Sequence, residues 1–157
     1  MSSWYQGVYK VINKEKYIGS TSPIFRSSWE LRLMNWLDQN QKVLRWCSEC
    51  IKIPYINTMD GKQHIYYPDA YIELIDKSGK LKKFIAEIKP AEQGPVRTKT
   101  GVYVPQPPKN KNKKAMARYL REVNTYQKNT CKWQAAKGFC NRNGLEFVVL
   151  TKEDLFG

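Results

Sequence analysis

Two segments of alternating polarity, HIYYPDAYIELI at 64–75 and KLKKFIAEIK at 80–89, flank the four turn-forming residues DKSG. Side chains of a strand point to opposite faces in turn, so this period of two predicts two half-buried strands joined as an antiparallel hairpin. The apolar rows are Ala70, Ile72 and Leu74 on one strand and Phe84, Ala86 and Ile88 on the other. That leaves Asp69, Glu87 and Lys89 on the opposite face of the sheet. Ion pairing is one explanation of these three charges, and a metal site is the other.

The flanking segments give the hairpin its layers. SPIFRSSWELRLMNWLDQN at 22–40 reads as a loop and then a helix over 28–40, with Ser27 as N-cap and Glu30 in capping-box spacing. KVLRWCSECIKIPYIN reads as β structure ending at Pro54. Residues 90–114 hold five prolines and close on KNKNKK, which predicts a basic, Pro-rich loop or arm. Helical pattern resumes in AMARYLREVNTYQ and, after a short break, in CKWQAAKGFCNRNG, which Gly144 should cap. LEFVVL then reads as a buried strand and TKEDL as a final helical turn. The expected fold is a single α/β domain over residues 1–157, with an antiparallel hairpin inside a mixed central sheet flanked by helices.

Charge narrows the partners. The 157 residues hold 27 Lys and Arg against 14 Asp and Glu, a net charge of +13, which points to a polyanion and by default to nucleic acid. With no long apolar run, amphipathic anchor or signal-like start, a membrane is not an expected partner, and the reading is of a soluble, cytoplasmic protein. The four cysteines do not read as a zinc site. Cys47 and Cys50, three apart on a strand, would face opposite ways, and Cys131 and Cys140, nine apart on a helix, would lie about 180° apart. Reduced, partly buried thiols are expected at all four.

On a helical wheel Glu30 falls inside the apolar arc of Trp29, Leu33, Met34, Trp36 and Leu37. A capping carboxylate and a metal ligand are both consistent with that position, but one rotamer is not expected to serve both roles. Asp69 with Glu87 and Lys89, two apart on the next strand, has the composition that metal-assisted phosphodiester hydrolysis requires. Carboxylate oxygens suit Mg²⁺ or Mn²⁺, and a lysine beside them can orient or deprotonate water or stabilise charge on phosphate. Lys132 is directed inward, between Phe139 and Ala136, whereas Gln134 lies on the other face. His64, the single histidine, reads as a strand residue near the site without a role.

Pro68, Asp69, Glu87 and Lys89 resemble the signature of the PD-(D/E)XK nuclease superfamily, which implies a restriction-endonuclease-like core. The resemblance further implies that an acidic residue of the first core helix, here Glu30, joins Asp69 and Glu87 at the metal. Lys89 would serve the nucleophile, and Lys132 of a later helix would assist. YQGVYKVINKEKYIGSTSPIFRSSWELRLMNWLDQN with PDAYIEL and AEIKP is also similar to the head completion nucleases of contractile-tailed bacteriophages, most specifically in GSTSPIFRSSWE. That likeness implies action on packaged DNA, portal, neck or head proteins as partners, and a place in the cytoplasm of the infected host or in the virion. KWQAAKGFCNRNGLEFVVLT resembles transposon-encoded endonucleases, a feature of the shared superfamily. Arg26, Arg97, Lys99, Lys109, Lys111, Lys113 and Lys114 are the expected phosphate contacts. A transposon-end or junction nuclease, and a DNA-binding head or neck protein without turnover, are the competing readings.

Overall fold

The computed structural model describes residues 6–88, 97–98, 101–102 and 105–151. Lys89, Lys99 and the TKEDL turn after Thr151 lie outside them. In chain order the elements are β1 (Gly7–Val8), β2 (Ile24–Phe25), α1 (Ser28–Gln39), β3 (Val43–Ser48), β4 (Ile53–Asn57) and β5 (Lys62–Tyr66). They continue with β6 (Ala70–Ile75), β7 (Leu81–Ile88), β8 (Arg97–Thr98), β9 (Gly101–Val102), α2 (Lys113–Asn143) and β10 (Glu146–Leu150).

The predicted hairpin is present as β6 and β7, in the register Ala70↔Ala86 and Ile72↔Phe84. It forms the middle of a four-stranded sheet of order β10-β7-β6-β3, in which β10 runs parallel to β7 and the other pairs are antiparallel. This is the mixed sheet expected. Because the pleat alternates, the two faces of β7 feed two separate cores. Ala86 and Ile88 pack with Ala70, Ile72, Val43 and Trp46 against Leu33, Met34 and Leu37 of α1. Ile85 points the other way, into a cluster with Ala136 and Cys140 of α2 and with Ile53, Tyr55 and Tyr66 of the β4–β5 hairpin. Leu37 and Trp46 are fully buried, and truncating such a leucine to alanine costs about 2–5 kcal/mol.

Capping decides where both helices stop and start. The Ser27 hydroxyl accepts the Glu30 N–H at 3.1 Å, as the sequence predicts. Gly144 closes α2 in the left-handed conformation at φ 68°, which glycine alone adopts without strain.

Five local expectations are corrected. The β structure does not end at Pro54, which sits within β4 opposite Ile65, on a two-stranded ribbon where a missing donor is tolerated. The stretch 64–75 is two strands, because the chain leaves β5 at Tyr66 and begins β6 at Ala70. The helix after the arm is unbroken over 31 residues: Thr130, at the expected break, bonds its hydroxyl back to the Tyr126 carbonyl at 2.8 Å and stays helical. The arm accordingly ends at Asn112, the N-cap, so Lys113 and Lys114 form the first turn of α2. Finally, Cys47 and Cys50 do not face apart as reduced thiols but form a disulfide, with their Cα atoms 6.0 Å apart. Strand β3 ends at Ser48, and Glu49 adopts φ 51°, turning the chain so that Cys50 returns to Cys47. Cys131 and Cys140 are free.

The segment before β2 is held to α1 by Asp38, whose side chain is fully buried. Its carboxylate accepts from the Tyr9 hydroxyl at 2.6 Å, the Ile12 N–H at 2.8 Å and the Asn13 N–H at 3.0 Å. Burial alone would raise its pKa, but these bonds and the charge of Lys16 together hold it below the ordinary carboxylate value.

Candidate active site

Three chain segments meet at the end of the sheet where β3 stops and β6 starts. Ser48 pairs with Ala70, and one residue further the Glu49 N–H donates to the Asp69 carbonyl at 3.2 Å. The first turn of α1 brings Glu30. Glu30, Glu49 and Asp69 each offer a carboxylate oxygen within 4.8 Å of the other two, and all three are half-buried.

Each carboxylate is oriented by the backbone around it. Asp69 Oδ2 accepts the Ile88 N–H at 2.7 Å, which ties it to the last residue of β7. Glu30 Oε2 accepts the Arg26 N–H at 3.0 Å and the Ser27 hydroxyl at 3.2 Å. Capping and membership of the acidic cluster are thus performed by one conformation, and the two readings of Glu30 do not compete. Burial is the main reason that the Glu30 pKa is raised, with the charge of Glu49 adding to it and the bonds from Arg26 and Ser27 opposing. Glu49 is ion-paired through Oε1 with Nη1 of Arg26. Its positive φ is unfavourable for a residue with a Cβ by roughly 1–2 kcal/mol. The disulfide across it and its bond to Asp69 hold it in that conformation.

Glu87 lies on the other face of β7, toward α2, and is only 6% exposed. Its Oε2 accepts the Tyr66 hydroxyl at 2.6 Å, and Lys132 places its ammonium 5.3 Å from the centre of the Tyr66 ring. Burial and the neighbouring Glu87 and Asp69 charges push the Tyr66 pKa far up, so Tyr66 is a permanent donor to Glu87.

The model of the family described as TnsA-like endonuclease N terminal matches residues 40–152. The chain belongs to the TnsA-like endonuclease family. It is also similar to the "Head completion nuclease" of Enterobacteria phage T4, at 33% identity over 152 residues that cover 96% of this chain and 93% of that protein. The TnsA-like fold is restriction-endonuclease-like, as the Pro68, Asp69, Glu87, Lys89 signature implied, and nuclease is the activity that belongs to it.

In the structure of this TnsA-like chain the expected site residues separate into groups. Glu30 and Asp69 come together, and Glu87, Tyr66 and Lys132 form the adjoining pair of contacts. Lys132 is inward-facing and Gln134 exposed, in line with their helical phase. Lys89 lies outside the described residues. Arg97 falls in β8, which pairs with β9. Lys109, Lys111, Lys113 and Lys114 are solvent-exposed. Arg26 is half-exposed and engaged by Glu49. His64 bonds Asp60 at 2.8 Å in the β4–β5 turn. Sequence reasoning missed Glu49, which has no periodicity to mark it, and Tyr66, which reads as an ordinary strand residue. The one signal for Glu49 was its place in CSEC, a spacing that closes when the strand ends.

Proposed function

We propose that this chain is a Mg²⁺- or Mn²⁺-dependent DNA endonuclease of PD-(D/E)XK type that acts on packaged DNA during phage head completion, before tail attachment. It would work in the cytoplasm of the infected host or on the assembling virion, beside portal, neck or head proteins. The observation that carries the reading is the convergence of Glu30, Glu49 and Asp69 within 4.8 Å at the mouth of the hairpin. The likeness to a phage head completion nuclease over 96% of the chain supplies the biological setting.

The donor set fits such a cation. Glu30 and Asp69 offer hard carboxylate oxygens, and two oxygens on one Mg²⁺ lie at most about 4.2 Å apart, so a separation within 4.8 Å needs at most a slight contraction. When bound there, the cation supplies charge that polarises the scissile phosphate and lowers the pKa of water. The protein's own residues do the rest. Asp69 is held by the Ile88 N–H and Glu30 by its cap, so each needs little reorganisation on binding. Tyr66 holds Glu87 in one orientation. Lys89 takes a proton from, or orients, the attacking water, and Lys132 adds positive charge beside Glu87. Arg26, Arg97, Lys99, Lys109, Lys111, Lys113 and Lys114 contact the phosphate backbone.

The test is to incubate the pure protein with linear, circular and single-stranded DNA in Mg²⁺ or in EDTA, beside Glu87→Ala. Cleavage in Mg²⁺ alone, lost in the variant, is expected. Cleavage that persists in EDTA would overturn the metal-dependent reading, and a requirement for one sequence or for branched DNA would favour a transposon-end or junction nuclease.

A further inference from the structure

The ion pair between Arg26 and Glu49 stands at the edge of the acidic cluster, and neither residue belongs to the signature that marks the nuclease superfamily. We infer that Glu49 is a further ligand of the catalytic cation, and that Arg26 is its counter-charge in the metal-free protein, released toward the DNA phosphate when the cation binds. The inference rests on the reading of Glu30 and Asp69 as metal ligands.

Position comes first. Glu49 is the residue that follows β3, and its oxygen lies within 4.8 Å of those offered by Glu30 and Asp69. The backbone sends it there: it is the non-glycine residue with positive φ among the described residues. It is fixed by the N–H bond to the Asp69 carbonyl and by the Cys47–Cys50 disulfide that brackets it. A ligand borne on so constrained a loop loses little freedom when a cation closes the cluster.

Charge comes second. The three carboxylates carry a combined charge of −3, which the Arg26 guanidinium reduces to −2 in the metal-free protein. Arg26 is joined to this cluster twice, through its backbone N–H to Glu30 Oε2 and through its guanidinium to Glu49 Oε1. The guanidinium is a cation already seated on one of the oxygens. A divalent ion competes with it, because both lower the same repulsion and need the same lone pairs. Once displaced, the half-exposed side chain stays anchored by its backbone beside the metal, which is where a scissile phosphate must lie.

The two substitutions at this pair therefore have opposite signs. Mn²⁺ binding to the full-length, metal-free protein is measured by titration calorimetry for the native chain, Glu49→Gln, Arg26→Gln and Asp69→Asn. Glu49→Gln is expected to raise the Mn²⁺ Kd roughly tenfold or more, since ligand charge sets affinity for a hard cation, whereas Arg26→Gln should lower it. A native Kd in Glu49→Gln, with binding lost in Asp69→Asn, overturns this inference and leaves the metal site itself standing. No binding by the native chain overturns both. Should Glu49→Gln fail to fold, by circular dichroism, Arg26→Gln still decides: weaker or unchanged Mn²⁺ binding there removes the counter-charge role and with it the proposal.

Discussion

Replacing Glu30 by Gln should leave the metal-free protein at least as stable and shrink the stabilisation that Mg²⁺ provides. A glutamine oxygen can still accept the Arg26 N–H and the Ser27 hydroxyl, so the cap survives. What disappears is a half-buried negative charge beside two others. At an effective dielectric of about 20, unit charges no more than 4.8 Å apart repel by at least about 3.5 kcal/mol, and the Arg26 guanidinium offsets part of this. The metal-free variant should therefore be at least as stable as the native protein at neutral pH. Because the Glu30 pKa is raised by burial, its favourable contribution is fully present below the ordinary carboxylate value. That contribution is lost as pH rises through the folded-state pKa, so the gain from the substitution should vanish on acidification. Mg²⁺ works against the variant. At about 100 times its Kd a ligand stabilises the native state by about 2.7 kcal/mol, but by only about 0.4 kcal/mol if the Kd rises about a hundredfold. For a chain of this size the difference of about 2.3 kcal/mol is about 5–9 °C in Tm. A thermal melt across a Mg²⁺ titration measures both limbs. An equal rise in Tm for the two proteins would refute the assignment of Glu30 to the cation and leave it a capping residue.

Asp69→Ala and Glu87→Ala should each abolish cleavage, but Glu87→Ala also strands the buried Tyr66 hydroxyl, at about 1–3 kcal/mol; urea melts should show that loss in Glu87→Ala and a smaller one in Glu87→Gln. Lys89→Ala should slow turnover by about 10²–10⁴, and native single-turnover rates there would demote it to a structural ion pair. Neutralising Lys109, Lys111, Lys113 and Lys114 together should flatten the plot of log affinity against log salt by about 3–4 units on duplex DNA; an unchanged slope means that they do not meet phosphate. Asp38→Ala leaves three donors without their acceptor and should cost about 3–5 kcal/mol. Since the Asp38 pKa is held down, its contribution persists above the ordinary carboxylate value of 3.8 and is lost as pH falls through the folded value. An acid titration of native stability against Asp38→Ala measures that difference.

Periodic features were legible in advance because their cause is local. The rows on β6 and β7, the Ser27 cap with Glu30 three residues on, and the Gly144 stop each follow from a few adjacent residues. What escaped depends on partners distant in sequence. Thr130 and its neighbours look like a helix breaker until α2 is laid against the sheet, where Asn129 and Ala136 are buried. Pro54 ends a central strand but not a two-stranded ribbon. Glu49 belongs to the site only because β3 and β6 pair in a register that brings Asp69 beside it. Asp69 and Glu30 were recognisable as candidates one at a time; the cluster is a property of the sheet's end.

Helix α2 contains no buried residue before Asn129, so its first sixteen residues, 113–128, are a rod of about 24 Å at roughly 1.5 Å per residue. Lys113, Lys114, Arg118, Arg121 and Lys128 are exposed along it. On duplex DNA at about 3.4 Å per base pair that length corresponds to about seven base pairs. If the rod lies along the duplex, it acts as a ruler, setting how much DNA must extend beyond the scissile bond for full grip. Substrates shortened on one side of the cut should then lose affinity over a span of that size and no further, which end-trimmed duplexes in a footprinting series would register.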